Sequence, residues 1–193
     1  MDNLEIESGQ ELNKILGRVP DWTGWLATFV INEAGESVGS DGTSSSLSNP
    51  IDLALLISLR TKADVIVTTG ATARAEEYKA SRLAPIAFLT RDPDSLLNLP
   101  AFTQPGPNEN ILLKPKSETS AFLDTQHQLQ GHCYQSFLFE GGRSSLNALL
   151  EQTGQIDLVL NIANVQNPTG VDSQIGLQKL FAQDYKARLL DDF

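Results

Sequence analysis

Continuous apolar runs alternate with helix-prone segments along most of this chain. The runs are of the length and composition expected for strands that are buried on both faces. They lie at 25–31, 63–68, 85–90, 135–139 and 156–162, with a shorter run at 111–113. The helix-prone segments between them lie at 49–61, 73–82, 118–129 and 145–152. This order predicts an α/β sandwich with a mostly parallel sheet and helices on both faces, with ligands bound at the carboxyl ends of the strands.

The helix predicted at 49–61 has a clear start signal. Asn49 is suited to be the N-cap, Pro50 occupies the first helical position, and Asp52 lies near the positive end of the helix dipole. We therefore expect a helix to begin at this point and to end near Thr61.

The segment 137–150, FLFEGGRSSLNALL, has the pattern of a strand, a glycine turn and a helix start. Its glycines can adopt positive φ and approach a ligand closely, and Ser144 or Ser145 can cap the helix. A helix N-terminus favours an anion such as a phosphate, although a Gly-Gly turn is also common as a plain connection. A second turn of this kind, TGAT at 69–72, follows the run at 63–68.

Other segments carry weaker signals. We expect a short helix at 10–16, a turn at 32–42, loops at 43–48 and at 91–107, where four prolines occur, and another loop at 166–170. The end of the chain is ambiguous. There, 175–181 favours a helix, whereas 185–190 alternates well enough for an edge strand.

The length of 193 residues, with 40% hydrophobic residues, suits one domain at 1–193 with an acidic lead-in at 1–20. The formal net charge is −10, from 24 acidic and 14 basic side chains, and repels nucleic acid and anionic membranes. No apolar run approaches the roughly 20 residues that cross a bilayer, and the start is acidic. We expect a soluble, cytoplasmic protein.

The single cysteine, Cys133, excludes an intramolecular disulfide. Only His127 and His132 lie near it in the sequence, so we expect no metal site. The simplest interpretation of Cys133 is a buried or half-buried thiol.

Three segments together resemble the reductase domain of riboflavin biosynthesis, the pyrimidine reductase family with a dihydrofolate-reductase-like fold. They are DGTSSSLSNPIDLALLISLR at 41–60, ADVIVTTGATARAEEY at 63–78 and EGGRSSLNALLEQTGQIDLVLNIANV at 140–165. The second is similar to A-D-x-V-L-V-G-x-G-T-V-R-A-E-x-Y, and the third begins like E-G-G-P. The resemblance implies a stand-alone reductase, without the zinc-dependent deaminase domain that usually accompanies it.

The resemblance implies NADPH as cofactor and assigns residues to two sites. Substrate contacts fall on Ser44, Arg60 and Glu140. Cofactor contacts fall on Thr72, Glu76, Thr90, Gly141, Gly142, Arg143, Ser144, Ser145 and Leu146. A guanidinium suits a ribosyl phosphate, and a carboxylate accepts from pyrimidine N–H groups. No residue is assigned as catalytic, because hydride transfer needs mainly positioning.

Several of these residues also have structural interpretations. Arg60 at a helix end is placed to interact with the helix dipole, and Thr72 can be an N-cap. Arg74 and Glu76 can form a solvated helix face. Glu140 is harder to explain structurally, because a carboxylate after a buried strand needs partners.

The sequence departs from the family at several positions. Where the family has S-x-D-G, this chain has Asn32, Glu33, Ala34 and Gly35, and Glu33 points to the other face of a strand. The last residue of E-G-G-P is Arg143, which adds a positive charge beside the expected phosphate site.

The other departures lie in the two remaining motifs and in a shortened loop. Thr69 replaces a glycine, and A-P-V becomes Ala163-Asn164-Val165. A short 79–84 segment replaces a longer substrate loop, which leaves Arg82 as a possible stand-in.

Three functions follow as hypotheses. The first is an NADPH-dependent reductase acting on a ribosylamino-pyrimidine phosphate. The second is a reductase of the same fold for another small heterocycle, such as a pterin. The third, suggested by Ala34, is a non-catalytic nucleotide-binding relative. The resemblance also implies a homodimer.

Overall fold

The protein is described from a computed structural model, which covers residues 2–5, 17, 21–37, 39, 42–104, 106–163 and 174–182. The helix predicted at 10–16, the loop at 166–170 and the edge strand predicted at 185–190 lie outside the described residues.

Eight strands form one sheet in the order β1-β8-β7-β2-β6-β3-β4-β5. Neighbouring strands from β7 to β5 are parallel, whereas β8 is antiparallel to both β7 and β1. The strands are β1 (Asp2–Glu5), β2 (Gly24–Asn32), β3 (Val65–Thr69), β4 (Ile86–Leu89), β5 (Asn110–Leu113), β6 (Ser136–Phe139), β7 (Gln155–Ala163) and β8 (Gln174–Phe181). The mostly parallel sheet is as predicted.

The helices are α1 (Pro50–Lys62), α2 (Gly70–Ala75), α3 (Pro100–Thr103), α4 (Ala121–Gly131) and α5 (Arg143–Thr153), with a 3₁₀ helix at Pro93–Leu96. Four of the helices fall where the sequence predicts them, with shifted ends, whereas α3 and the 3₁₀ helix fall in a predicted loop. The Asn49 side chain caps α1, since its oxygen accepts from the N–H groups of Ile51 at 3.0 Å and Asp52 at 2.9 Å. The predicted start of α1 is confirmed.

Each central strand sends alternate side chains into two separate hydrophobic clusters, one on each face of the sheet. In β6, Leu138 packs in the cluster that contains Leu55 and Leu59 of α1. Its neighbours Phe137 and Phe139 pack in the other cluster, which contains residues of α4 and α5. This alternation explains why the strands are apolar throughout, and the predicted helices on both faces are confirmed.

The tail differs from its predicted helix. Residues 175–181 belong to β8, which pairs antiparallel with β7. Ile175 and Leu180 are buried there against the two core clusters. Pairing with β7 satisfies the backbone groups of this segment, and this long-range gain overrides the local helix preference.

Two further predicted segments differ from the structure in their length or content. The helix predicted at 73–82 is the short α2, which ends before Glu77 because that residue has a left-handed φ of 47°. The loop predicted at 91–107 contains the 3₁₀ helix and α3, which begin at Pro93 and Pro100. Proline is tolerated there because the first helical N–H has no intrahelical partner.

Candidate functional site

A cleft of about 710 Å³ lies at the carboxyl ends of the central strands. Its walls come from the second half of β2, the inner side of α1, the segment that follows β3 and the start of α5. This is the edge at which parallel α/β sheets bind ligands, and the volume is in the usual range for a small-molecule site. The cleft is therefore the candidate site.

Glu140 directly follows β6 and its side chain is held in the cleft by three hydrogen bonds. Its carboxylate accepts two hydrogen bonds from Arg60, from Nε to Oε1 at 2.8 Å and from Nη2 to Oε2 at 2.6 Å. The Tyr78 hydroxyl donates a third bond to Oε2 at 2.8 Å. The Glu140 side chain is only 6% exposed and that of Arg60 is 26% exposed, so the pair is largely withdrawn from water.

Arg60 and Tyr78 both keep their protons near neutral pH. Burial acts to lower the pKa of the Arg60 guanidinium, but the hydrogen bonds and the charge of Glu140 raise it above its ordinary value. Burial, reinforced by the Glu140 charge, raises the pKa of Tyr78 well above its ordinary value. Tyr78 therefore stays protonated and remains a donor to Glu140.

The backbone around Glu140 is held by the neighbouring strand β3. The N–H of Glu140 donates to the Val67 carbonyl at 2.9 Å, and the Thr68 hydroxyl donates to the Glu140 carbonyl at 3.0 Å. Because β3 and β6 are parallel neighbours, their ends meet at one edge. The interpretation of Arg60 as a residue that interacts with its own helix dipole is incomplete, since its guanidinium binds Glu140.

The two glycines after Glu140 have different roles: Gly141 allows close packing, and Gly142 leaves space in the cleft. The expected positive φ is wrong, since Gly142 has a φ of −72° and Gly141 is not among the positive-φ glycines. A Cβ on Gly141 would lie 2.3 Å from the Phe139 ring. A Cβ on Gly142 would meet only the Thr72 hydroxyl, at 3.5 Å, so Gly142 keeps the cleft open in front of α5.

The N-cap of α5 is Gly142, which has no side-chain acceptor, so the prediction of Ser144 or Ser145 as cap is wrong. Both serines lie within the first turn, because the helix begins earlier, at Arg143. Gly141, Gly142, Arg143 and Ser144 line the cleft.

The next two predicted cofactor residues do not reach the cleft. Ser145 does not line it, and Leu146 is 5% exposed and packs in a hydrophobic cluster. The reason is the helical rotation of about 100° per residue, which turns these side chains away from the opening.

Ser44, Thr72 and Glu76 form the wall beside α2. The Glu76 carboxylate accepts from the Ser44 N–H at 2.8 Å and from its hydroxyl at 2.9 Å. The interpretation of Glu76 as a solvated residue is therefore wrong. Thr72 is not an N-cap either, because Thr69 caps α2 and accepts from the Thr72 N–H.

Thr90 lies at the end of β4 and does not line the cleft. Its side chain is buried, its hydroxyl donates to the Asp92 carbonyl at 3.1 Å, and a Cβ on Gly70 would lie 2.7 Å from that hydroxyl. The observed role of Thr90 is to pack against the start of α2.

Two positions where the chain departs from the family also lie away from the cleft. Ala34 is exposed in a turn whose N–H groups bind the Asn32 side chain, at 3.0 Å for Ala34 and 2.9 Å for Glu36. Arg82 does not line the cleft, whereas Lys79 and Ala80 do.

Two cleft residues carry roles that the sequence did not assign to them. Tyr78 appeared only as the last residue of a motif, and its hydroxyl binds Glu140. Asp52 was interpreted only through the helix dipole, but its carboxylate accepts from Asn161 at 2.9 Å and from Ser48 at 2.7 Å. The feature of the sequence that could have indicated this contact is Asn161, a polar residue within an apolar strand.

Cys133 is exposed and has a left-handed φ of 66°, so the prediction of a buried or half-buried thiol is wrong. The cause is its place in the tight connection after α4, where its N–H donates to the Gln130 carbonyl.

Within the described ranges, no three His, Cys, Asp or Glu residues come together as a metal site. In the same part of the chain, none of the helices combines the length and apolar character needed to span a bilayer.

Comparisons with known proteins find similarity in structure. No protein family model matches the chain. No curated protein matches it in sequence. A pyrimidine reductase-like protein from Corynebacterium diphtheriae has a TM-score of 0.61 and 22% identity, over 82% of this chain and 85% of that chain.

Two further solved structures are similar over the same part of the chain. A diaminohydroxyphosphoribosylaminopyrimidine deaminase/5-amino-6-(5-phosphoribosylamino)uracil reductase from Thermotoga maritima has a TM-score of 0.59 and 12% identity, over 82% of this chain and 56% of that chain. RibD from Acinetobacter baumannii has a TM-score of 0.50 and 13% identity, over 82% of this chain and 58% of that chain. The predicted dihydrofolate-reductase-like α/β fold is thereby confirmed, and the chain has the fold of the pyrimidine reductase structures.

Proposed function

We propose that this protein is an NADPH-dependent reductase of the riboflavin-biosynthesis type, acting on a ribosylamino-pyrimidine phosphate or a related substrate. The observation that carries the proposal is the cleft itself. One wall presents the fixed Glu140 carboxylate with its Arg60 and Tyr78 partners, and the open N-terminus of α5 lies beside it. The similarity in fold to pyrimidine reductase structures supports this function.

The residues at the start of α5 fit an anionic cofactor. Gly142 supplies no capping side chain, so no cap side chain occupies the N-terminus of this 11-residue helix, where the helix dipole favours a ligand's phosphate. Arg143 adds a positive charge to the same wall, and the space in front of Gly142 is open as far as the Thr72 hydroxyl. NADPH supplies the hydride when it is bound, and Thr72 with Gly141, Gly142, Arg143 and Ser144 would hold it.

The chain's own contribution is to orient the substrate. The Glu140 carboxylate is held at three contacts, so it offers an acceptor in a fixed direction to N–H groups of a pyrimidine ring. Ser44 is fixed beside α2 by Glu76 and lies in the same cleft. Arg60 acts mainly by fixing Glu140, and its partly exposed edge faces the substrate side.

The competing hypotheses differ in what they require. A pterin-like substrate needs the same cofactor but no phosphate contact. A non-catalytic relative was suggested by Ala34, and that residue lies in an exposed turn outside the cleft, which argues against this hypothesis. We also propose that the protein is a cytoplasmic homodimer, as the family resemblance implies. Light scattering of the purified protein tests the dimeric state.

Titration of NADPH fluorescence tests the cofactor. We expect enhanced and shifted nicotinamide emission at micromolar protein, and an unchanged spectrum would overturn both reductase hypotheses. Complementation of a riboflavin-reductase-deficient strain then tests the substrate. Failure of a well-expressed protein that binds NADPH would favour a different heterocycle.

A further inference from the structure

The turn that ends α2 has a strained backbone. Glu77 has a φ of 47°, in the left-handed region, which costs free energy for any residue with a Cβ. Two hydrogen bonds define the turn. The Tyr78 N–H donates to the Ala73 carbonyl at 3.0 Å, and the Glu77 N–H donates to the Arg74 carbonyl at 3.3 Å. Together these bonds form a Schellman motif, which usually has glycine at the left-handed position.

The two residues that flank Glu77 reach two different walls of the cleft. The Glu76 carboxylate accepts from the N–H and the hydroxyl of Ser44, at 2.8 and 2.9 Å. The Tyr78 hydroxyl donates to the Glu140 carboxylate at 2.8 Å. In the proposed function, Ser44 and Glu140 face the substrate. One three-residue turn therefore holds side chains on both substrate walls.

The turn at 76–78 is firmly attached to the rest of the fold. The Glu76 N–H donates to the Thr72 carbonyl at 2.9 Å, and the Tyr78 carbonyl accepts from the Ala101 N–H of α3 at 2.8 Å. The Tyr78 ring packs edge-on against Phe88 in β4. A support that is fixed at several points transmits its own geometry to the side chains that it holds.

Ser44 carries this geometry further along the chain. Its carbonyl accepts from the N–H groups of Leu47 at 3.0 Å and Ser48 at 3.1 Å, in the turn that precedes α1. The position of Ser44 is thus set by Glu76 through its two donors and is tied to the start of α1 through its carbonyl. A displacement of Glu76 would move this wall of the cleft.

We infer that the turn at 76–78 is a positioning element for the substrate. Glu76 and Tyr78 are positioning residues that act through Ser44 and Glu140, and the left-handed backbone of Glu77 aims both of them. This inference rests on the proposed function, since the substrate is the one reduced in this cleft. It gives Glu76 a role on the substrate side, whereas the family resemblance assigns Glu76 to the cofactor.

Two substitutions at position 77 test the backbone. Glycine adopts a left-handed φ without steric cost, whereas valine does not. With NADPH and 5-amino-6-(5-phosphoribosylamino)uracil, we expect Glu77→Val to lower kcat/KM for the uracil by about 10-fold or more, because reacting groups are then misplaced. Glu77→Gly should lower it by no more than about 3-fold. NADPH affinity, measured by fluorescence, should change by less than about 2-fold in both variants.

Cys133→Val is the matched control. Cys133 has a left-handed φ of 66° in the same motif at the end of α4, outside the cleft. There the Tyr134 N–H donates to the Leu129 carbonyl at 3.1 Å, and the Cys133 N–H donates to the Gln130 carbonyl at 2.9 Å. Cys133→Val and Glu77→Val should lose similar stability in urea denaturation, and only Glu77→Val should lose kcat/KM.

Substitutions of Glu76 test the contact with Ser44 and give an answer even if Glu77→Val does not fold. Glu76→Ala removes the acceptor, and we expect kcat/KM for the uracil to fall by about 10- to 100-fold. Glu76→Gln keeps an oxygen that accepts from Ser44 and should lose only about 2- to 5-fold. A loss confined to NADPH affinity in Glu76→Ala would place Glu76 at the cofactor and overturn the inference.

Hydrogen exchange of the Ser44 N–H, followed by NMR in the absence of substrate, tests the support directly. We expect Glu76→Ala and Glu77→Val to speed this exchange by about 10-fold or more, because the N–H loses its acceptor or the acceptor is displaced. Cys133→Val should leave the exchange unchanged.

Three results overturn the inference: unchanged kcat/KM in Glu77→Val, an equal loss of kcat/KM in Cys133→Val, or unchanged exchange of the Ser44 N–H in Glu76→Ala. The proposed function fails differently, because the wild type would then bind no NADPH or would not reduce the uracil. In that case the exchange of the Ser44 N–H still decides whether the turn positions Ser44.

Discussion

Arg60 and Glu140 are 80 positions apart in the sequence and form a two-point ion pair in the wall of the cleft, with contacts of 2.8 and 2.6 Å. One side chain comes from the last turn of α1 and the other from the residue after β6. Loss of either residue leaves the other as a largely or partly buried group without its ionic partner.

Glu140→Gln tests the energetic part of this relationship. We expect the free energy of unfolding to fall by about 2 to 3 kcal/mol, below the usual cost for a fully buried pair because Arg60 is partly exposed. Urea denaturation measures the change. In the double variant Arg60→Met with Glu140→Gln, the loss should be smaller than the sum of the losses of the two single variants. A loss equal to or larger than that sum would contradict the pairing.

Tyr78→Phe tests the third contact. The ring packs edge-on against Phe88 at a centroid distance of 6.2 Å and should stay in place, while the bond to the carboxylate is lost. We expect a loss of about 1.5 to 2 kcal/mol in urea denaturation at pH 7. Tyr134→Phe, at a tyrosine outside the cleft, is the matched control.

The raised pKa of Tyr78 predicts a second effect of Tyr78→Phe at alkaline pH. A group whose folded pKa is raised stabilises the fold fully below its unfolded pKa of about 10. This stabilisation is lost as the pH rises from that value through the folded pKa. Wild-type stability should therefore fall more steeply above pH 10 than that of Tyr78→Phe. Parallel curves for the two proteins would contradict burial of the hydroxyl.

We expect Asp64 to contribute to the pH dependence of the folding stability at acid pH. Its carboxylate accepts from the N–H groups of Gln135 at 2.7 Å and Ser136 at 2.9 Å, which joins β3 to β6 at their amino ends. Partial burial acts to raise its pKa, but these bonds lower it below the ordinary value. The stabilisation is present above the unfolded pKa of about 3.9 and is lost as the pH falls through the folded pKa.

Asp64→Ala should remove this part of the acid sensitivity, with a loss below about 1 kcal/mol at pH 7 because the group is exposed. Urea midpoints at pH 7 and pH 3 measure the effect, and the difference between variant and wild type should shrink at pH 3. Glu109→Ala, at another exposed carboxylate, should keep the wild-type pH dependence.

Gly142→Val tests where the cofactor phosphates bind. The Cβ has room, with only the Thr72 hydroxyl at 3.5 Å, so the variant should fold with near wild-type stability. Its branched side chain fills the approach to the start of α5, and we expect NADPH affinity to fall by about 100-fold or more. Gly131→Ala, at an equally open position at the end of α4, is the control. Unchanged affinity would place the cofactor elsewhere.

The sequence predicts those parts of the fold that depend on neighbouring residues. Asn49 and Pro50 mark the start of α1 because capping is local, and the apolar run at 63–68 marks β3 because both of its faces are buried. Segment 175–181 is different, because only pairing with β7 makes it a strand. Local pattern carries no information about that partner.

The candidate site likewise contains residues that the sequence identifies and residues that only long-range contacts reveal. Glu140 was identifiable because a carboxylate after a buried strand needs partners, and its motif names the position. Its partner Tyr78 and the Asp52–Asn161 contact are long-range, the latter joining residues 109 positions apart. Leu146 was assigned to the cofactor by its place in a motif, but helical rotation turns it into the core.

The position of β6 in the sheet has a consequence for how the chain acquires its structure. This strand pairs with β2 on one side and with β3 on the other, although it follows both in the sequence. The middle of the sheet therefore closes only after residue 139 has been synthesised, and earlier nascent chains expose the apolar strand edges of β2 and β3 that pair with β6. We expect slow folding that is limited by this insertion, and fragments that end before β6 to aggregate.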